Sequence, residues 1–113
     1  MKTPTLVLLS LLTLPLAANA AAPTAERLGT VSFPTSCSPA VRAPFSRGVA
    51  LLHDFWYEEA QRQFEAIAKT DPTCAMAHWG IAMSVFHQIW DRPDEKAAAL
   101  AWKELQAAPE HPA

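Results

Sequence analysis

The side chains of this 113-residue chain with chemistry to offer are two cysteines, four histidines, a few serines and eleven carboxylates. Cys37 and Cys74 are the only thiols. Outside the cytosol such a pair tends to join, whereas inside it both stay reduced. His53 and His87 stand 34 residues apart. If a helical unit recurs at that spacing, the two imidazoles reach equivalent ends of neighbouring parallel helices and could share a metal ion. Two ligands are fewer than the three or four that a tight zinc site needs. The alternative has each histidine bonded to the last carbonyls of its own helix, where a cation also suits the helix dipole. His78 reads as a packing or hydrogen-bonding residue. Ser46 and Ser84 carry no signature of an activated nucleophile, and Glu58-Glu59 and Asp94-Glu95 fit solvated helix starts better than acid–base pairs. There is no glycine-rich phosphate loop and no Cys-x-x-Cys-His haem attachment. The expectation is therefore a protein that is not an enzyme and needs no cofactor, with a metal- or small-ligand-handling role for His53 and His87 as the alternative.

Whether the thiols meet an oxidant depends on the first twenty residues. Lys2 gives a positive start, Leu6 to Leu16 an apolar stretch, and Ala18-Asn19-Ala20 small residues at a cleavage point. These are the three regions of a secretory signal peptide. Ser10, Thr13 and Pro15 interrupt an apolar run already short of the roughly 18 residues a membrane span requires, so no stable span is expected after cleavage. Cleavage after Ala20 would leave eight basic against eleven acidic residues, a balance that does not suit nucleic acid. Export to the periplasm or beyond makes a Cys37–Cys74 disulfide the expected state.

The elements that must position these groups are helical. Residues 21–40 show no helical period, and Pro23, Gly29, Pro34 and Pro39 mark an extended leader. Ala43-Pro44 can open a helix, since the first turn tolerates proline, and Phe45, Val49 and Leu52 then share a stripe. Phe55-Trp56 marks a turn. Tyr57, Ala60, Phe64, Ile67 and Ala68 recur at helical spacing until Asp71-Pro72, where the residue before proline is pushed out of the helical region. A third helix from about Cys74 to Trp90 is apolar almost all round and should be buried on several sides. Arg92-Pro93 opens a fourth, with Ala98, Ala101, Leu105 and Ala108 on its inner face and Pro109 and Pro112 closing it. The fold class is all-α, an array of antiparallel hairpins.

The register of these helices points further. At an offset of 34 residues Leu51 falls on Val85, Leu52 on Phe86 and His53 on His87, and periods of this length signal stacked repeats. Within 41–74, Gly48, Ala60, Phe64 and Pro72 stand where the tetratricopeptide repeat has its signature residues, and the segment resembles that repeat without a gap. The stretch from Phe45 to Met83, with RGVALLH, FWYEEA and DPTCAMAHWGIAM, is similar to exported bacterial tetratricopeptide-repeat proteins, usually much longer. Gly48 and Ala60 would let two helices approach, Phe64 would fill the space against the next helix, and Pro72 would stop the second. A divergent unit follows at 75–109, with Ala82 for the glycine, a turn longer by about four residues, and Ala98 and Trp102 in the places of Ala60 and Phe64; 110–113 is a tail.

The resemblance implies a short solenoid of about two repeats acting as a protein-interaction scaffold. The first helix of each unit would line a concave groove, formed here by Arg42, Phe45, Val49, Leu52 and His53, then Met76, Trp79, Met83, Phe86 and His87. That lining suits an apolar peptide or amphipathic helix, unless the leader 21–40 or further chain covers it. About three units and a polar cap are normally needed for a stable stack, so two predict reliance on further chain, on self-association or on a partner. The opposing arrangement has the leader capping the first repeat while Trp102 folds inward.

Overall fold

A computed structural model describes residues 26–86 and 92–110. The expected signal peptide at 1–20, the last turn of the third helix with His87 and Trp90, and most of the tail lie outside the described residues. A short 3-10 turn, Pro39–Val41, leads into α1 (Arg42–His53), followed by α2 (Tyr57–Thr70), α3 (Ala75–Phe86) and α4 (Glu95–Ala107). No strand occurs among the described residues. α1 packs on α2, α3 lies against both, and α4 packs on α3.

Each helix boundary has a local cause. α2 carries Glu58 and Glu59 in its first turn and Lys69 in its last, both favourable to the helix dipole, and it ends at Asp71 before Pro72. α4 starts later than Arg92-Pro93 suggests. Asp94 is its N-cap, and its Oδ1 accepts the Ala97 N–H at 2.7 Å, a cap worth about 1 kcal/mol.

The inner face of α4 also differs from expectation. Ala101 is buried and Ala108 half-buried, but Ala98 and Leu105 are exposed, and Trp102, 62 % exposed, does not fold inward. Glu104 instead faces α3, where its Oε2 lies 3.2 Å from His78 Nδ1. Alanines on every side of α4 give a weak apolar signal, so the sequence alone could not separate the face on α3 from its neighbour.

The core is built around Phe64, which has no exposed surface. Its ring makes an edge contact with Phe45 at 5.4 Å and with Trp79 at 6.4 Å. Gly48 of α1 and Gly80 of α3 lie against it so closely that a Cβ on Gly48 would come within 2.8 Å of Cζ, and one on Gly80 would overlap Cγ and both Cδ atoms. Ala60 and Ile67, one turn to either side on α2, are equally enclosed. The Ser84 hydroxyl, also buried, donates to Gly80 O at 2.8 Å.

The leader is fixed to this core by three different attachments. Cys37 and Cys74 form a disulfide across 37 residues; closing a loop of that length stabilises by about 3–4 kcal/mol through the unfolded chain. Beside it, buried Asp71 accepts the Ser38 N–H at Oδ2, 2.8 Å, and the Thr73 N–H and hydroxyl at Oδ1. At the other end Glu26 meets Arg47 of α1 through two hydrogen bonds of 2.8 and 2.9 Å, while Arg47 also donates to Gln63 of α2. Between them Leu28 and Val31 pack on the core.

Gly80→Ala is expected to destabilise despite the better helix propensity of alanine, by about 1–3 kcal/mol. Much of that cost should disappear in the Phe64→Leu background. A double-mutant cycle by urea unfolding checks this, and additive effects would show that ring and glycine do not constrain one another. The Thr73 hydroxyl first, and the Ser38 N–H second, hold the Asp71 carboxyl below its ordinary range. With the folded pKa depressed, the resulting stabilisation is complete above the unfolded value of about 3.9 and fades as pH falls through the folded one. Asp71→Asn should thus be less stable than the parent at pH 7, with the difference shrinking toward pH 2, as measured by denaturant unfolding across that range.

Candidate binding groove

The sequence-derived groove residues separate into distinct places. Phe45 and Val49 are buried core residues, not an open lining. The leader is the reason for Phe45, since Phe33 sits over it at 5.5 Å between ring centroids and stacks on Trp79 at the same distance. Met76 is half-buried against the core. Arg42 is exposed and borders, with Ser46, a shallow cleft under the leader. Phe86 belongs to a different depression, between α3 and α4.

What remains is a cavity of about 380 Å³ where α1, α3, the leader and the α1–α2 turn meet. α1 contributes Leu52 and His53, and α3 contributes Trp79 and Met83. Phe33, Phe55 and Tyr57 complete the wall. The volume lies at the lower end of the range of small-molecule and side-chain pockets. Four aromatic rings, a leucine and a methionine face it, so the favourable occupant is an apolar or aromatic group that gives up water on entry. Met83 supplies an unbranched, adaptable contact.

Leu52, His53, Trp79 and Met83 are thus brought together as a lining, whereas Phe33, Phe55 and Tyr57 carried no sequence signal for this place. Phe33 lies in a segment without period. Phe55 and Tyr57 read as a turn and as an inner position of α2.

Phe55 stands out through its backbone. Its φ is 62°, the left-handed region in which a bulky side chain is rare. The Trp56 N–H bonds Leu51 O at 2.9 Å and the Phe55 N–H bonds Leu52 O at 3.3 Å. This is a Schellman ending of α1, whose left-handed position is usually glycine. A phenylalanine there costs about 1–2 kcal/mol of strain. Its ring, 6.2 Å from that of Tyr57, forms one wall of the cavity. Strain held at a cavity wall is a marker of function when the rest of the fold over-determines it.

His53 Nδ1 lies 2.8 Å from Val49 O, a contact that requires Nδ1 to carry the proton. The imidazole therefore folds back on its own helix and adds a second donor to the Val49 carbonyl. Its proposed metal partner His87 is outside the described residues. Elsewhere, Cys37, Cys74 and Asp71 place sulfur and oxygen atoms within 4.8 Å of one another. Both sulfurs are joined in the disulfide and Asp71 already accepts three hydrogen bonds, so this cluster fastens the leader.

No helix among the described residues is long and apolar enough to cross a membrane. Comparison with protein-family models, with curated proteins and with solved structures finds no match to this chain.

Phe55→Gly separates wall from scaffold. Glycine relieves the left-handed strain at an entropic cost in the unfolded chain, so the variant should melt no lower than the parent and gain up to about 1 kcal/mol. A clear loss in thermal unfolding would show that the ring supports the fold and not the cavity.

Proposed function

We propose that this chain is an exported interaction scaffold of the tetratricopeptide type, which holds an apolar or aromatic side chain of a partner peptide or protein between α1 and α3. The observation that carries the reading is the cavity itself, walled by Leu52, Trp79 and Met83 from two helices one register unit apart and by Phe33 and Phe55. Its walls are preorganised. Phe33 is stacked on Trp79, and the leader that bears it is tied at Cys37, Ser38 and Glu26. Binding therefore costs little ordering of the protein, which is the main saving open to a small site.

The repeat reading, with units at 41–74 and 75–109, is supported by the small residues meeting as the pattern requires. Gly48 meets Phe64 at the α1–α2 contact, Ala60 is fully buried one turn away on α2, and Phe64 fills the space against Gly80 of α3. Export is supported by the disulfide, which an oxidising compartment would favour.

Selection of a displayed random 12-residue peptide library on the oxidised protein tests the function. The expected winners carry an aromatic or large aliphatic anchor, and Phe55→Gly weakens them by at least about tenfold, while Arg42→Ala and Trp102→Ala leave them unchanged. Failure to enrich any sequence, or winners indifferent to Phe55→Gly, would remove the cavity from the reading.

A further inference from the structure

Of the side chains that line the cavity of about 380 Å³, those of His53 and Tyr57 carry a nitrogen or oxygen able to accept a hydrogen bond, whereas Trp79 has only a donor and Met83 a weak sulfur acceptor. We propose that His53 selects the occupant: the side chain held there has an N–H or O–H of its own, as tryptophan and tyrosine do, and donates it to His53 Nε2. This narrows the reading of the cavity as a side-chain pocket and rests on it.

The helix itself places the proton on this ring. His53 Nδ1 lies 2.8 Å from Val49 O, and a carbonyl oxygen only accepts, so Nδ1 holds the hydrogen. In a neutral imidazole one nitrogen donates and the other accepts, and the hydrogen bond made by one fixes the role of the other. Nε2, on the side of the ring away from the Val49 carbonyl, is therefore an acceptor. No hydrogen bond reaches it from the described residues. Tyr57 sets no such condition, because its hydroxyl turns to donate or accept as an occupant requires.

Apolar walls discriminate weakly among groups of similar size, whereas a fixed polar atom rejects a group that cannot pair with it. A phenylalanine or leucine that enters displaces water from Nε2 and returns nothing, leaving the acceptor unpaired. An indole N–H or a phenol O–H replaces the lost hydrogen bond. Serine and threonine carry a donor but little apolar surface to bury against the aromatic walls. His53 stands exposed at the C-terminal end of α1, so water still competes for Nε2. The preference is accordingly about fivefold, not the far larger factor of a sealed polar site.

The probes are N-acetyltryptophan amide and its benzothienylalanine counterpart, which has nearly the same shape but sulfur in place of the indole N–H. Each is titrated into the oxidised protein at about pH 8, which keeps free imidazole neutral, and followed by the Met83 methyl signal in NMR spectra. The parent should bind the tryptophan amide about fivefold more tightly than its counterpart. His53→Phe, which keeps a ring in place and removes the acceptor, should bind the two alike. The comparison of probes on the parent needs no variant, so it stands whatever His53→Phe does to the fold. Equal affinity of the two amides for the parent overturns the inference and leaves the side-chain pocket standing, and so does a preference that survives in His53→Phe. If neither amide shifts the Met83 signal, the pocket and the inference fall together.

Discussion

Two glycines on different helices close around one aromatic ring, and most of the structure follows from that contact. Gly48 reaches the far carbons of the Phe64 ring and Gly80 its near ones, at separations with no room for a side chain. The ring can be fully enclosed only because both neighbours are bare backbone. Their approach sets the spacing of α1 from α2 and seats α3 over the pair. Trp79, one residue before Gly80, is thereby carried to the edge of the same ring, where its other side is free to receive Phe33. The cavity wall is thus a consequence of the packing around Phe64. Close-packed protein interiors transmit a change of one methyl group over several neighbours.

The leader shows how a segment without regular structure is made part of a small fold. Four helices of this length bury little apolar surface relative to what they expose, and an extended strip of chain would gain little by lying on them unaided. Covalent closure at Cys37–Cys74 reduces the entropy of the unfolded chain, Asp71 takes up the half-buried Ser38 N–H, and Arg47 holds Glu26 at the far end. Among the described residues no buried side-chain nitrogen or oxygen lacks a partner. The leader then covers Phe45 and supplies a wall to the cavity, so part of the expected groove is closed by the chain itself and part remains open.

The helices, their order and the stripes that bury Phe45, Ala60, Phe64 and Ile67 were legible in the sequence, because a period of 3.6 residues and the proline at 72 act locally. The disulfide was legible as well, from there being two cysteines and a segment reading as an export signal. The offsets of Gly48 and Phe64 pointed to a close helix contact that the structure contains, and Ala60 is buried beside it. Tertiary structure decided the rest. That Phe33 stacks on Trp79, that Glu26 finds Arg47, and that Asp71 caps the leader are pairings across 21 to 46 residues of chain, which no local pattern encodes. Gly80 gave no sign of its part, since a lone glycine inside an apolar helix is unremarkable until its neighbour is known. Phe55 took the left-handed position where glycine is the usual signal. The stripe read for α4, Ala98, Ala101, Leu105 and Ala108, is buried only at Ala101 and half-buried at Ala108, because alanine is too small to mark a face; the third dimension settles it by what lies next to each residue, and burial, unlike helix propensity, is a property of neighbours.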